Sequence, residues 1–334
     1  MLFKRIFKED ILKLKKVLIT GICGFEGSNM ALLWKNKYNL AGLDITSTAR
    51  TEELKDIPIY YVDIREKEGI EKVFKSVKPD VIVHLAGQVS HLKSQEDPYY
   101  DLECNVKGIL NILETVRKIN PKCQVLYASS RSVYGFPKYL PIDEEHPTEP
   151  IDAYGITKRT AEHYCQLYTY HYGINTTCFR QANLFGPRQQ VWTNVFQMVS
   201  WIFRCVALNE EFTFYGDGSQ TRDFLYVDDV VKAYELAIEN PEKVYGQIYN
   251  LGGHEYCSWN QVIKYAEEVT GNKAKVKYIP HSELRSKLEN PHSWLSYSKY
   301  KKATGWMPIV SVKEGFKEMY KYFISEKKIE KYLS

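Results

Sequence analysis

Several features that define other protein classes are missing from this sequence of 334 residues. No run approaches the length of about 18 apolar residues that a bilayer-spanning helix needs, so no membrane span is expected. Lysine and arginine number 45 against 41 for aspartate and glutamate, and beyond the first sixteen positions the basic residues are scattered. Because nucleic-acid binding requires a basic patch, nucleic acid is not expected as a partner.

The cysteine pattern argues against two further kinds of stabilising site. The seven cysteines are odd in number and show no paired short spacings, which argues against a disulfide framework and against a zinc site. Such cysteines are typical of reduced thiols in a protein core. We therefore expect a cytoplasmic protein without a metal site.

The first sixteen residues, MLFKRIFKEDILKLKK, lack the apolar stretch and the small-residue cleavage site of a secretion signal. Leu2, Ile6, Ile11 and Leu14 can share one face of a helix that would lie on a membrane surface or on a partner. We favour the simpler interpretation that residues 1–15 form an N-terminal extension that packs on the body or frays.

From residue 16 onward, short β-branched runs alternate with amphipathic segments, which predicts an α/β fold with a doubly wound parallel sheet. The helical segments carry apolar residues at three- and four-residue spacing. Periodicity weakens near residue 185, so we predict a first domain at 16–185 and a smaller C-terminal lobe at 186–334. The two are expected to interleave, because a strand at 247–251 could rejoin the sheet. The six strand candidates of the first domain cover 16–20, 38–44, 58–63, 81–87, 124–130 and 175–180.

A glycine loop follows the first strand in the segment KVLITGICGFEGSNMALLW. Gly21, Gly24 and Gly27 are three residues apart, at the point where a strand gives way to a helix. In this context glycines permit a tight turn, the close approach of a pyrophosphate and the packing of the helix on the strand. The free helix N-terminus then faces the anion. The segment predicts a dinucleotide site.

Acidic residues end the next two predicted strands. Asp44 can accept hydrogen bonds from a ribose hydroxyl and repels a 2′-phosphate, which favours NAD over NADP, although the nearby Arg50 weakens this preference. Asp63 and Ile64 are placed to border an adenine, while a simple capping aspartate is the equally plausible alternative for Asp63.

These features together resemble the extended short-chain dehydrogenase/reductase superfamily, whose members act on nucleotide-linked sugars. The resemblance runs from about residue 16 to 325. It implies a Rossmann-type sheet that binds NAD in the first domain, a C-terminal lobe that binds a nucleotide-diphosphate sugar, and a homodimer. Besides the glycine loop, the segments that carry it are HLAG (84–87), NVKGILNILE (105–114), SSRSVYG (129–135), YGITK (154–158), FRQANLFGPRQ (179–189) and GDGSQTRDFLYVDD (216–229).

The resemblance places Ser130, Tyr154 and Lys158 on the superfamily's catalytic triad. Oxidation of a sugar hydroxyl needs a base, and a free tyrosine titrates near 10. We expect the ammonium of Lys158, together with the positive nicotinamide, to favour the phenolate of Tyr154. Ser130 would donate to the sugar oxygen, and Lys158 would also hold the nicotinamide ribose. His84, at the end of a buried strand, is expected to be a core histidine.

The same resemblance assigns binding residues. Substrate contacts are expected from Ser130, Asn183, Arg188 and Arg222, of which Arg222 would grip the diphosphate bidentately or, alternatively, pair with Asp223 or Asp228. The expected cofactor contacts are Gly21, Gly24, Phe25, Glu26, Gly27, Asp44, Asp63, Ile64, Leu85, Ala86, Gly87, Tyr154 and Lys158.

The subclass is indicated by Arg131 and Ser132. The 4,6-dehydratases that resemble this chain carry an aspartate and a glutamate there, and those acids drive water elimination. Their replacement favours an epimerase with a tightly kept NAD. Residues 83–120 look most similar to the CDP-tyvelose (CDP-paratose 2-) epimerase branch, which implies a CDP-sugar. A net oxidoreductase, either a 4-keto reductase or a decarboxylating dehydrogenase, and a non-catalytic nucleotide-binding scaffold stay open as alternatives.

Overall fold

The computed structural model describes residues 14–192, 198–280 and 292–329. The N-terminal extension predicted at 1–15 therefore lies almost wholly outside the described residues. Within them, no helix is long and apolar enough to cross a membrane.

A seven-stranded, wholly parallel sheet forms the body of the molecule, in the order β10-β6-β5-β4-β1-β2-β3. The six predicted strands are all present in it, and the later strand β10 pairs with β6 at the edge. The sheet strands are β1 (Lys16–Thr20), β2 (Asn39–Asp44), β3 (Ile59–Tyr61), β4 (Val81–His84), β5 (Gln124–Ser130), β6 (Thr176–Gln181) and β10 (Ile248–Leu251).

Two smaller sheets belong to the C-terminal part. In one, β9 pairs with β7, β11 and β13, and in the other β8 pairs with β12. The sequence did not predict β9, which reads as a turn and loop in GDGSQTRDF. These strands are β7 (Asn183–Phe185), β8 (Glu211–Tyr215), β9 (Thr221–Tyr226), β11 (Glu255–Ser258), β12 (Lys275–Ile279) and β13 (His292–Ser293).

Helices connect the strands. In the second helix, the apolar positions Ile70, Val73 and Phe74 are buried at three- and four-residue spacing, as an amphipathic helix on a sheet requires. The helices are α1 (Phe25–Trp34), α2 (Lys67–Val77), α3 (His91–Glu96), α4 (Pro98–Leu102), α5 (Gly108–Ile119), α6 (Ala153–Tyr172), α7 (Met198–Ala207), α8 (Val227–Glu239), α9 (Pro241–Val244), α10 (Trp259–Thr270), α11 (Ser298–Thr304) and α12 (Val312–Tyr320). Short 3-10 turns cover Ala49–Leu54 and Arg131–Tyr134, and π turns cover Glu103–Lys107 and Lys321–Ser325.

Alternate residues of each sheet strand enter opposite cores. Val17 and Ile19 of β1 pack with α1 and α8, whereas Leu18 between them packs with α2, α5 and α6. A third core fills the C-terminal part around Phe203 and Phe316. Because both faces of the sheet are covered, only the strand ends can open to a ligand, and those carboxyl ends face the C-terminal part.

Candidate active site

A cavity of about 640 Å³ lies at the carboxyl ends of the sheet strands. Its wall on one side is formed by residues that follow β1, β2 and β4, and on the other by the ends of β5 and β6. Arg222 of β9 and Trp259 of α10 close it from the C-terminal part. Such a volume, at the switch point of a doubly wound sheet, is suited to one extended ligand or two adjacent ones.

The glycine loop forms the floor of this cavity. Gly21 has a φ of 73°, and a Cβ at Gly27 would come within 2.3 Å of the Gly21 carbonyl oxygen. The chain can therefore close this turn only with glycine at both positions. Helix α1 begins directly afterwards with Gly24 as its N-cap, and no side chain caps it. Its first amides are open to an anion, which fits a dinucleotide pyrophosphate.

The acidic residues predicted to border the cofactor both line the cavity. The Asp44 carboxylate accepts a bond of 2.8 Å from Cys23 N in the glycine loop and another of 2.8 Å from Ile45 N, so two backbone amides hold it in place. Asp63 is instead paired with Arg65, at 2.6 Å between Nη2 and Oδ2. This pair lowers the pKa of Asp63, whose Oδ1 also accepts a 2.8 Å bond from the Arg65 backbone amide.

Residues after β4 complete the predicted cofactor wall. Leu85, Ala86 and Gly87 line the cavity, as does Ile64. His84, just before them, is buried, and its Nδ1 lies 2.7 Å from the Thr20 hydroxyl. Burial lowers the pKa of His84 to about 3, with Lys158 adding to the effect. His84 is thus a neutral core histidine, as expected.

The predicted catalytic residues come from β5 and α6. Ser130 is the last residue of β5, and Tyr154 lies in the first turn of α6, which Asp152 caps through a 2.7 Å bond from Gly155 N. Both Ser130 and Tyr154 line the cavity, and the Ser130 hydroxyl donates to the Ser132 hydroxyl at 3.1 Å. Lys158 is buried one turn later and donates to the Ala128 carbonyl oxygen at 2.9 Å.

Burial dominates the electrostatics of this triad in the polypeptide alone. Burial raises the pKa of Tyr154 well above its usual range, and the Glu26 carboxylate raises it further, while the hydrogen bond with Ser130 opposes them. Burial lowers the pKa of Lys158 to about 8. The polypeptide by itself therefore favours the neutral phenol, and the phenolate expected from Lys158 together with a positive nicotinamide stays a prediction.

The predicted substrate residues divide into two groups. Asn183 and Arg222 line the cavity, and Asn183 donates to the Asp223 carbonyl oxygen at 3.0 Å. The side chain of Asp223, one alternative partner of Arg222, accepts from the backbone amides of Gly253 and Leu295. Arg222 itself donates from Nη1 to the Thr221 carbonyl oxygen at 2.8 Å.

Arg188 was expected to contact the substrate, and the structure shows three protein partners for its side chain. Its guanidinium forms an ion pair with Glu53 at 3.0 Å, donates to Asn29 Oδ1 at 3.0 Å and lies over the Tyr322 ring. It is not among the described residues that line the cavity. Arg188 therefore ties α1 and the 3-10 turn at Ala49–Leu54 to the C-terminal part.

Two cavity residues were missed from the sequence. His91 packs edge-on against Tyr154 with ring centroids 4.8 Å apart, and its Nδ1 lies 2.5 Å from Asp152 Oδ2. Arg131 was considered only as a replaced acid, yet it lines the cavity and donates to the Ser293 hydroxyl at 3.0 Å. Contacts between segments this far apart in the chain leave no local signal, since they arise only from the fold.

Comparison with known proteins identifies the family. A family model described as the NAD dependent epimerase/dehydratase family matches residues 17–252, well over half of the chain. The chain belongs to this family. This result confirms the resemblance noted from the glycine loop and YGITK, and it makes NAD the expected cofactor.

Individual relatives within the family are nucleotide-sugar epimerases. A protein of Methanocaldococcus jannaschii described as a putative UDP-glucose 4-epimerase is 34% identical, and the match covers 91% of this chain and 96% of that protein. The CDP-paratose 2-epimerase of Salmonella typhi is 30% identical over 91% of this chain and 98% of its own length. The structure of a Thermotoga maritima UDP-glucose 4-epimerase with UDP-glucose superposes with a TM-score of 0.85 at 32% identity, covering 93% of this chain and 99% of that one.

Proposed function

We propose that this member of the family is a nucleotide-sugar epimerase that oxidises one sugar carbon transiently and returns the hydride to the opposite face. The observation that carries the proposal is the single cavity in which the open N-terminus of α1, the Ser130–Tyr154 pair and Arg222 meet. These are a site for a dinucleotide, a site for proton transfer and a site for an anion, in one continuous space.

The proposed chemistry uses Tyr154 as the base and then as the acid. Tyr154 takes the proton of a sugar hydroxyl while a hydride leaves the same carbon, and a ketone forms. The keto sugar then presents its other face, the hydride returns and Tyr154 gives the proton back. A bound NAD supplies the hydride acceptor in one direction and the donor in the other. Ser130 donates to the sugar oxygen throughout.

A raised pKa at Tyr154 suits one half of this cycle. The acid step needs a protonated phenol, which the buried environment provides. The base step needs that pKa to fall, and the positive charge of the oxidised nicotinamide next to the phenol would lower it. The change in cofactor charge would therefore lower the pKa of Tyr154 for the base step and raise it again for the acid step.

NAD is preferred over NADP in this proposal because of Asp44. Its carboxylate lines the cavity and is fixed by two backbone amides. A negative charge held there accepts hydrogen bonds from ribose hydroxyls and repels a 2′-phosphate. Together with the glycine loop, Ile64 and Leu85 to Gly87, it forms the proposed cofactor surface.

The substrate half of the cavity supports a nucleotide-diphosphate sugar. Arg222 offers a guanidinium to the diphosphate, and Asn183 is placed beside it. Arg131 and Ser132 occupy the positions at which a dehydratase would carry acids, so elimination of water lacks its catalysts. Since relatives act on UDP-sugars and on a CDP-sugar, we propose both nucleotides as first candidates.

The direct test is to identify what the purified protein binds and interconverts. Mass spectrometry of released small molecules is expected to find NAD, and a panel of UDP- and CDP-sugars is expected to yield one epimer pair. No NADH should accumulate in proportion to product. Stoichiometric consumption of cofactor would support the oxidoreductase alternative instead, and absence of both NAD and conversion would reject the epimerase.

We also propose a cytoplasmic homodimer. All seven cysteines are free and buried, as suits a reducing compartment. Leu167 and Tyr170 on α6 are exposed apolar side chains on the same helix face as Ile156, and α4 beside them exposes Tyr99 and Leu102. A second copy of the chain is the occupant that this two-helix face fits, in a symmetric four-helix contact.

A further inference from the structure

Glu26 is a carboxylate of the cavity wall that the proposed proton transfer does not use. It lies in the first turn of α1, directly before Gly27 of the glycine loop. Its Oε2 accepts a 2.8 Å hydrogen bond from Gln181 Nε2, and the same amide group donates to the Tyr234 hydroxyl at 3.1 Å. The carboxylate is therefore held by the sheet at the end of β6 in a fixed position.

The Glu26 carboxylate interacts with the catalytic pair through space. It raises the pKa of Tyr154, and Lys158 in turn lowers the pKa of Glu26. Burial has the largest effect and raises the pKa of Glu26 to about 7. The groups that face Glu26 are Lys158 and Tyr154 from α6, Gln181 from β6 and Tyr234 from α8.

We infer that the Glu26 carboxylate stabilises the oxidised, cationic nicotinamide relative to the reduced, neutral one, and so keeps the resting enzyme's cofactor oxidised. The inference rests on the proposed function. Glu26 belongs to the glycine loop, which would hold the pyrophosphate, and it lines the same cavity as Tyr154, where the hydride chemistry is proposed. A negative charge in this half-buried position attracts a ring cation, and the attraction ends when a hydride neutralises the ring.

This charge would bias the catalytic cycle in one direction. It disfavours the first hydride transfer, which removes the cation, and it favours the return of the hydride to the keto sugar. The keto sugar is then short-lived and rarely escapes. Such a bias suits an epimerase, which must regenerate the oxidised cofactor in every cycle, and it would hinder a net dehydrogenase.

Calorimetric affinities for NAD+ and NADH, measured on protein stripped of nucleotide, test the inference without turnover. Relative to the wild type, Glu26→Gln and Glu26→Leu should both lower the preference for NAD+ over NADH by about tenfold, as expected for the loss of one nearby charge. Glu68→Gln is the matched control and should leave the preference unchanged. Glu68 holds the same position in the first turn of α2 and also precedes a glycine, but it is exposed.

The pH dependence provides the second arm. Well below the Glu26 pKa of about 7, the wild-type carboxyl is neutral, so its preference for NAD+ should fall to that of Glu26→Gln. Equal preferences in the wild type and Glu26→Gln at all pH values would overturn the inference alone. A change in Glu26→Leu without one in Glu26→Gln would overturn it as well, because packing would then be the cause. A wild type that binds neither nucleotide would overturn the proposed function and the inference together.

Discussion

Tyr154 shows how its surroundings can reverse a rule drawn from spacing. One helical turn separates it from Lys158, and that arrangement alone would lower the pKa of the phenol. In the folded chain Lys158 donates to the Ala128 carbonyl oxygen, while burial and Glu26 act on Tyr154 in the opposite direction. For the pKa of Tyr154, the effect of desolvation is larger than that of the neighbouring Lys158 ammonium. A lower pKa therefore requires the positive charge of a bound ligand.

Tyr154→Phe removes the proposed acid and base while keeping the ring. We expect epimerisation to fall by about 10²- to 10⁴-fold, the usual contribution of a positioned proton donor and acceptor. NAD binding should persist, since the glycine loop and Asp44 are untouched. Turnover of the best sugar nucleotide and NAD content would be measured together. Tyr245→Phe, which removes the hydroxyl of an exposed tyrosine outside the cavity and the proposed dimer contact, should leave turnover unchanged, and near-normal turnover in Tyr154→Phe would refute the assigned role.

At the element scale, the turn between β1 and α1 is the most constrained part of the cofactor site. Gly27 packs against the backbone of Gly21 and Ile22. A Cβ added at Gly27 would lie only 2.6 Å from Ile22 Cα. Both neighbours are backbone atoms that cannot move aside as a side chain would. The close approach of helix to strand therefore decides where the open amides of α1 point.

Gly27→Ala should displace α1 and weaken cofactor binding. Overpacking of this kind costs about 1–3 kcal/mol of stability, and we expect a lower melting temperature together with loss of bound NAD. Gly24→Ala is the graded comparison, since its Cβ would meet a single atom, Gly21 O, at 3.0 Å. Its effects should be smaller on both measures. If the two variants bound NAD as the wild type does, the loop would not have the proposed role.

At the scale of the whole molecule, the cavity exists because the two parts of the chain are interleaved. Strand β10 crosses back to pair with β6, and β7, which begins two residues after β6 ends, pairs with β9. Arg222 on β9 thereby lines the same cavity as Ser130 at the end of β5. The domain boundary near residue 185 stays a prediction, because these strand exchanges tie both sides of it together.

The proposed dimer can be tested at its helix face. Leu167→Glu combined with Tyr170→Glu places two charges on α6 within the proposed contact, where an apolar surface would otherwise be buried against its copy. Sedimentation equilibrium should report a dimer for the wild type and a monomer for this variant. Ile309→Glu, at an exposed apolar residue outside α6, serves as the control and should remain dimeric. A dimeric double variant would place the interface elsewhere.

Short-range sequence patterns predicted those strands and helices whose formation depends mainly on neighbouring residues. The runs at 16–20 and 124–130 became β1 and β5 with the same bounds, because β-branched residues between two helical layers have one favourable environment. Strand β9 was missed since its residues lack alternation and gain their strand partners from β7, β11 and β13. The position of Arg222 could be predicted only by resemblance, and the contact of Arg188 with Glu53 not at all.

The sequence by itself determined the doubly wound sheet, the glycine loop after β1 and the placement of Tyr154 and Lys158 on one helix. Each of these features follows from residues that are close together in the sequence, so local interactions are enough to determine it. The tertiary structure alone decided the raised pKa of Tyr154, the pairing of Arg188 with Glu53 and the seating of Glu26 on Gln181. Burial and charge depend on which distant segments meet, and only the packed chain brings those segments together.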